Sequence, residues 1–123
     1  MTDTLALDET SRLISSAMVD GTTVYDRAGE KLGSIRNFMV EKRSGKAEYA
    51  VLEFGGFLGI GSEHYPIPWD MLDYDASKGG YVVDIDRSRL DDAPRYANDR
   101  QPAYDETYGR SVNGYWGVPF AAI

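Results

Sequence analysis

From Thr23 to Asp86 hydrophobic and polar positions tend to alternate, with turn chemistry between short runs, a pattern that predicts strands. The cleanest alternation is Tyr81-Val82-Val83-Asp84-Ile85-Asp86, which sets Tyr81, Val83 and Ile85 inward and Asp84 and Asp86 outward. Thr23-Val24-Tyr25 is a shorter strand, closed by the turn Asp26-Arg27-Ala28-Gly29. A longer one runs from Lys31 to about Lys42 on Leu32, Ile35, Phe38 and Val40, and its broken alternation near Gly33 predicts a bulge or a sharp bend. Arg43-Ser44-Gly45-Lys46 then reads as a hairpin turn.

The strand Ala47–Phe54 is different, with Ala50, Leu52 and Phe54 on one face and Tyr49 and Val51 on the other. Apolar residues on both faces predict that neither is fully wetted. Gly55-Gly56-Phe57-Leu58-Gly59-Ile60-Gly61 interrupts, and a strand resumes over Glu63–Ile67, where Pro66 restricts it to an edge or a strand end. Pro68–Leu72 fits a helical turn, with proline suited to its start. Five or six short strands with glycine-rich turns predict a small barrel or closed sandwich. Residues 91–123 change character: six aromatics, Tyr96, Tyr104, Tyr108, Tyr115, Trp116 and Phe120, stand among polar residues, Pro and Gly, with no period of 2 or 3.6. The expectation is an extended aromatic tail, docked on its own barrel or on a partner. The chain thus divides into an N-terminal arm (1–11), a core domain (12–90) and this tail (91–123).

At 123 residues the chain is long enough for one domain with a true core. The absence of cysteine removes disulfides, thiolate metal sites and cysteine nucleophiles together, and a single histidine, His64, leaves little to titrate near neutrality. A net charge of −7 argues against phosphate-backbone binding by the domain as a whole. Charge is uneven, however, with Arg27, Lys31, Arg36, Lys42, Arg43 and Lys46 giving residues 21–50 a basic excess. On strands these read as solvent-facing residues, so direct nucleic-acid contact is not expected. The acidic, polar N-terminus lacks the features of a signal peptide, and no apolar run reaches membrane-spanning length, which makes the cytoplasm the expected compartment.

Candidate chemistry is thin. The glycine cluster lacks both the dinucleotide order and a Gly-Lys-Ser/Thr, and no helix N-terminus obviously follows it. If Phe57, Leu58 and Ile60 are exposed there, they form an apolar patch that needs a partner. Asp73-x-Asp75-x-Ser77, with Asp84 at the twelfth position, resembles a calcium loop, but Lys78 stands where the loop needs glycine. His64 beside Glu63 has no second histidine to make a metal site, and no carboxylate pair stands out for acid–base work. Trp69 reads as a core aromatic. Tyr115, Trp116 and Phe120 in the tail join Phe57, Leu58 and Ile60 as the candidate interaction residues. No catalytic residue, cofactor or metal is expected.

The ordered segments Gly21-Thr22-Thr23-Val24-Tyr25-Asp26, Gly29-Glu30-Lys31-Leu32-Gly33-Ser34-Ile35, Tyr49–Gly61 and Tyr65-Pro66-Ile67-Pro68-Trp69-Asp70-Met71-Leu72 resemble the PRC-barrel domain. That β-barrel is shared by the H subunit of bacterial photosynthetic reaction centres and a ribosome maturation factor. The resemblance implies an all-β, mostly antiparallel barrel over residues 12–90 and a non-catalytic interaction module with no catalytic residues to transfer. The expectation is a protein partner together with self-association, a dimer being favoured. The alternatives are an accessory factor of RNA metabolism or the ribosome, and a module for a small ligand or ion.

Overall fold

The computed structural model of the protein describes residues 13–54, 63–97 and 99–120. A single-turn helix, α1 (Ser16–Val19), precedes six strands: β1 (Thr23–Tyr25), β2 (Lys31–Val40), β3 (Ala47–Phe54), β4 (Glu63–Pro68), β5 (Leu72–Asp75) and β6 (Gly80–Val83). After a 3-10 turn at Arg87–Asp91 come a two-residue strand, β7 (Tyr96–Ala97), and a longer helix, α2 (Glu106–Trp116). The expected turn after Pro68 is present as a 3-10 turn at Trp69–Met71.

The strands make one sheet in the order β5-β6-β1-β2-β3-β4-β7, antiparallel throughout except for the parallel β1–β6 pair. Contrary to the expected closed barrel, this sheet does not close: β5 and β7 are its two ends. Part of the reason is chemical. The strand β4 pairs outward with β7 only at Glu63 and His64, and then reaches Pro66 and Pro68. Neither proline has an N–H to give an outer neighbour, so the ladder stops where the prolines begin.

Inside the curve of the sheet lies the main core: Val24, Leu32, Ile35, Ala50, Leu52, Ile67, Val83 and Ile85, with Leu72, Tyr81 and Leu90 around them. Tyr81, Val83 and Ile85 are buried and Asp84 and Asp86 are exposed, as the alternation predicts. The irregularity near Gly33 is a bulge, because pairing steps from Val24–Gly33 to Tyr25–Lys31. A Cβ at Gly33 would collide with the Glu53 carbonyl oxygen and lie 2.7 Å from the Phe54 ring, so β3 approaches too closely for any side chain there.

The outer face of β3 and β4 is covered as well. Val51, Pro66 and His64 are buried although they point away from the main core, and Val112 of α2 is fully buried. This is the second dry face that Tyr49 and Val51 announce. It also corrects the expectation of an extended tail, since residues 106–116 are helical. Asp105 caps the helix by accepting the Tyr108 N–H at 2.9 Å. Gly117, at φ 75°, ends it in the left-handed conformation, with its own N–H and that of Val118 donating to the Asn113 carbonyl. The inward positions Tyr108, Gly109, Val112, Asn113 and Trp116 do follow helical spacing. Two of them are glycine and asparagine, which hides the period from a hydrophobicity reading.

Candidate functional site: an aromatic cleft at the sheet end

The cleft forms where three segments meet: the β2–β3 turn, the 3-10 turn after β4, and the two ends of α2. Its volume is about 640 Å³, within the range of ligand-holding clefts. The half-buried rings of Tyr49, Trp69, Tyr104 and Phe120 line it, and exposed Glu48, Asp70, Asp105 and Glu106 stand at its rim.

Glu48 and Tyr49 are adjacent on β3, and on a regular strand they would point to opposite faces. They line the same cleft because β3 carries a bulge there. Its pairing with β2 steps from Met39–Tyr49 to Val40–Ala47 and leaves Glu48 as the extra residue. A bulge re-aims side chains in this way. Glu41 shapes the adjacent turn, its carboxylate accepting the Arg43 and Ser44 N–H groups at 3.1 and 2.7 Å. Those bonds hold its pKa below the ordinary value.

A tyrosine cluster supports the wall. Tyr49 donates to Asn113 Oδ1 at 2.7 Å, and Asn113 Nδ2 donates to the Pro119 carbonyl at 3.1 Å. One buried amide therefore ties β3, α2 and the segment that carries Phe120. The Tyr96 and Tyr104 hydroxyls are 2.8 Å apart, and the Tyr104 ring lies 5.7 Å from Tyr49 and 5.0 Å from Tyr108. Burial holds the phenol of Tyr104 far above its ordinary value and pushes that of Tyr108 up to about 12. With their hydroxyls committed to protein partners, Tyr49 and Tyr104 offer the cleft chiefly ring surface. Gly109 lets the helix sit close: a Cβ there would come within 2.5 Å of the Phe120 ring and 3.2 Å of the Tyr49 hydroxyl.

Of the candidate interaction residues, Phe57, Leu58 and Ile60 lie outside the described residues. Phe120 is in the cleft wall, with the Arg110 guanidinium 5.0 Å from its ring centroid. Tyr115 and Trp116 are elsewhere, folded onto the chain's own 3-10 turn. Arg89 stacks on both rings, at 4.6 and 5.4 Å, and donates to the Tyr115 carbonyl at 2.7 Å, while the Tyr115 hydroxyl donates to the Arg89 carbonyl. The three tail aromatics are thus not one surface.

Other motifs resolve into local structure. Asp75 Oδ1 accepts from the Ser77 N–H and hydroxyl at 3.0 and 2.6 Å, shaping the β5–β6 turn, and Asp84 pairs with Arg27 at 3.8 Å. Among the described residues no group of three or more His, Asp or Glu is placed to hold a metal. His64 is buried on β4 against Tyr96, with Nε2 4.0 Å from a Glu53 carboxylate oxygen and no hydrogen bond to that nitrogen among the described residues. Of the basic residues of this region, Lys31 opens β2, whereas Lys42, Arg43 and Lys46 lie beyond its other end, in and beside the β2–β3 turn. Glu48, Tyr49, Trp69, Asp70 and Tyr104 are the cleft residues that sequence reasoning misses as a site.

The family model for the PRC-barrel domain matches residues 13–90. The chain belongs to the PRC-barrel family. Of the cleft, Tyr49, Trp69, Glu48 and Asp70 lie within the matched domain, whereas Tyr104, Asp105, Glu106 and Phe120 come from beyond it. This PRC-barrel protein has no match among curated proteins. Among solved structures it is similar to a chain described as a 16S ribosomal RNA processing protein, RimM, of Pseudomonas aeruginosa. The two are 17% identical with a TM-score of 0.39, over 65% of this chain and 48% of that one, so this chain matches about half of the RimM length. Among the described residues no helix is long and apolar enough to cross a membrane.

Proposed function

We propose that this PRC-barrel protein is a non-catalytic interaction module that binds a protein segment in the aromatic cleft. The observation that carries the reading is the cleft itself, half-buried rings rimmed by exposed carboxylates at an accessible end of the sheet. Aromatic residues are the usual anchors of protein recognition. Chemistry built on carboxylates would call for a general acid with a raised pKa. Among the described residues, the carboxylates whose pKa moves clearly, Glu41, Asp75 and Asp86, all move down because backbone and serine groups hydrogen-bond to their charged forms.

The test is recovery of the tagged full chain from its native host, with co-purifying proteins identified by mass spectrometry, beside a Phe120→Ser variant. The expected outcome is one or a few proteins captured by the wild type and lost from the variant. Capture of the same proteins at the same level by both would overturn the cleft as the contact.

A second reading, an accessory factor of RNA metabolism or of the ribosome, draws on the family, because its barrel is shared with a ribosome maturation factor. It predicts co-sedimentation of the chain with ribosomal particles at physiological salt, and a chain that stays at the top of the gradient argues against it. Self-association is a narrower proposal, supported by the exposed Leu13, Ile14 and Met18 around α1. Sedimentation equilibrium at tens of micromolar would show a dimer, and a monomer would remove it.

A further inference from the structure

We infer that the occupant of the cleft is an extended segment of another protein bearing arginine or lysine side chains, its cations set against the aromatic wall and paired with Glu48 and Asp70. The inference rests on the interaction reading above and adds the chemistry of the partner.

Charge selects the occupant. The cleft is lined by five carboxylates, Glu41, Glu48, Asp70, Asp105 and Glu106, against one ammonium, Lys46, and the Arg110 guanidinium lies over the Phe120 ring at its wall. Three of the five already have protein partners: Glu41 binds turn N–H groups, Asp105 caps α2, and Glu106 pairs with Arg110 at 2.8 Å. Glu48 and Asp70 have no ion pair among the described residues. Glu48 is also the bulged residue of β3, turned toward the cleft by a local departure from strand geometry. Its charge is felt at the wall, where it adds to burial in raising the pKa of the Tyr49 phenol.

The wall suits a cation for a second reason. Aromatic faces carry negative potential, and guanidinium groups stack on them readily. The molecule already makes this contact at the cleft, where Arg110 lies over Phe120. A neutral apolar segment would use the rings but offer the two rim carboxylates no partner. An acidic segment or a nucleic-acid backbone would meet like charge.

The experiment is fluorescence anisotropy of a labelled octapeptide of alternating arginine and glycine, titrated with the full chain. A glutamine–glycine octapeptide serves as the uncharged probe. Saturable binding to the arginine peptide is expected, weakened at least tenfold between 50 and 500 mM salt. Glu48→Gln and Asp70→Asn should each weaken it about threefold, and the pair about tenfold. Circular dichroism confirms that these exposed substitutions leave the fold intact. Equal affinity in the double variant, or equal binding of the glutamine peptide, overturns the inference. So does an equal loss in Asp91→Asn, Asp92→Asn, which would trace binding to net charge, or full competition by spermidine at matched charge. Phe120→Ser separates the two levels. If it abolishes binding while the double carboxylate variant does not, the cleft reading stands and its cationic selectivity falls. If neither variant matters, both fall.

Discussion

Two glycines show how much a missing Cβ decides in this chain, and with opposite consequences. At Gly33 the groups in the way include the Glu53 carbonyl of the adjacent strand, and backbone in a paired sheet cannot step aside. Gly33→Ala should therefore destabilise by about 3 kcal/mol, the upper part of the usual overpacking range. At Gly109 the nearest obstacle is the Phe120 ring on the terminal segment, which can move. Alanine gains about 1 kcal/mol over glycine inside a helix, so Gly109→Ala should stay within about 1 kcal/mol of wild type while displacing Phe120 from the cleft wall. Urea unfolding of both variants checks the contrast, and a loss at Gly109 equal to that at Gly33 would refute it. The first glycine is legible in the sequence, where it breaks an alternation. The second is not, since its neighbour in space is eleven positions away in a stretch without visible period.

Among the elements, α2 is the one whose role the sequence conceals. Strand residues pair through local alternation, so β2, β3 and β4 stand close to where the pattern puts them, and the apolar outer face of β3 correctly announces a covering layer. What covers it is a helix whose inward positions include Gly109 and Asn113, one chosen for close approach and the other for hydrogen bonding. Only the caps Asp105 and Gly117 mark its ends, and they become visible as caps once a helix is suspected. The amide of Asn113 serves both Tyr49 and the Pro119 carbonyl. Asn113→Ala should cost about 2 kcal/mol, because it strands two polar groups. Tyr49→Phe alone should cost about 1 kcal/mol, and the double variant less than the sum, since each change removes the same bond. Additive losses in chemical denaturation would show that the bond does not couple β3 to α2.

On the scale of the whole molecule, the candidate site lies at a junction of distant parts. Glu48, Asp70 and Asp105 come from three separate segments, and no motif spacing could have joined them. The same junction gathers Tyr49, Tyr96, Tyr104 and Tyr108, and it sets how the fold responds to alkali. The pKa values of these four, and of Tyr81 in the main core, are raised chiefly by burial. The folded state therefore favours the neutral phenol. The stabilisation is complete below the unfolded value near 10 and is lost as pH rises through the folded values, of which that of Tyr108 is about 12. Between those limits the unfolded chain sheds protons that the folded chain keeps. Tyr104 and Tyr108 then each lower stability by about 1.4 kcal/mol per pH unit across that window, together a loss at the lower end of a typical folding free energy. Ionisation of these five phenols, followed by absorbance at 295 nm, should thus occur in one cooperative step with loss of the far-ultraviolet dichroism. Complete ionisation of all nine tyrosines centred near pH 10 with the dichroism intact would mean that α2 does not seal the cluster, and with that the wall of the cleft would lose its support.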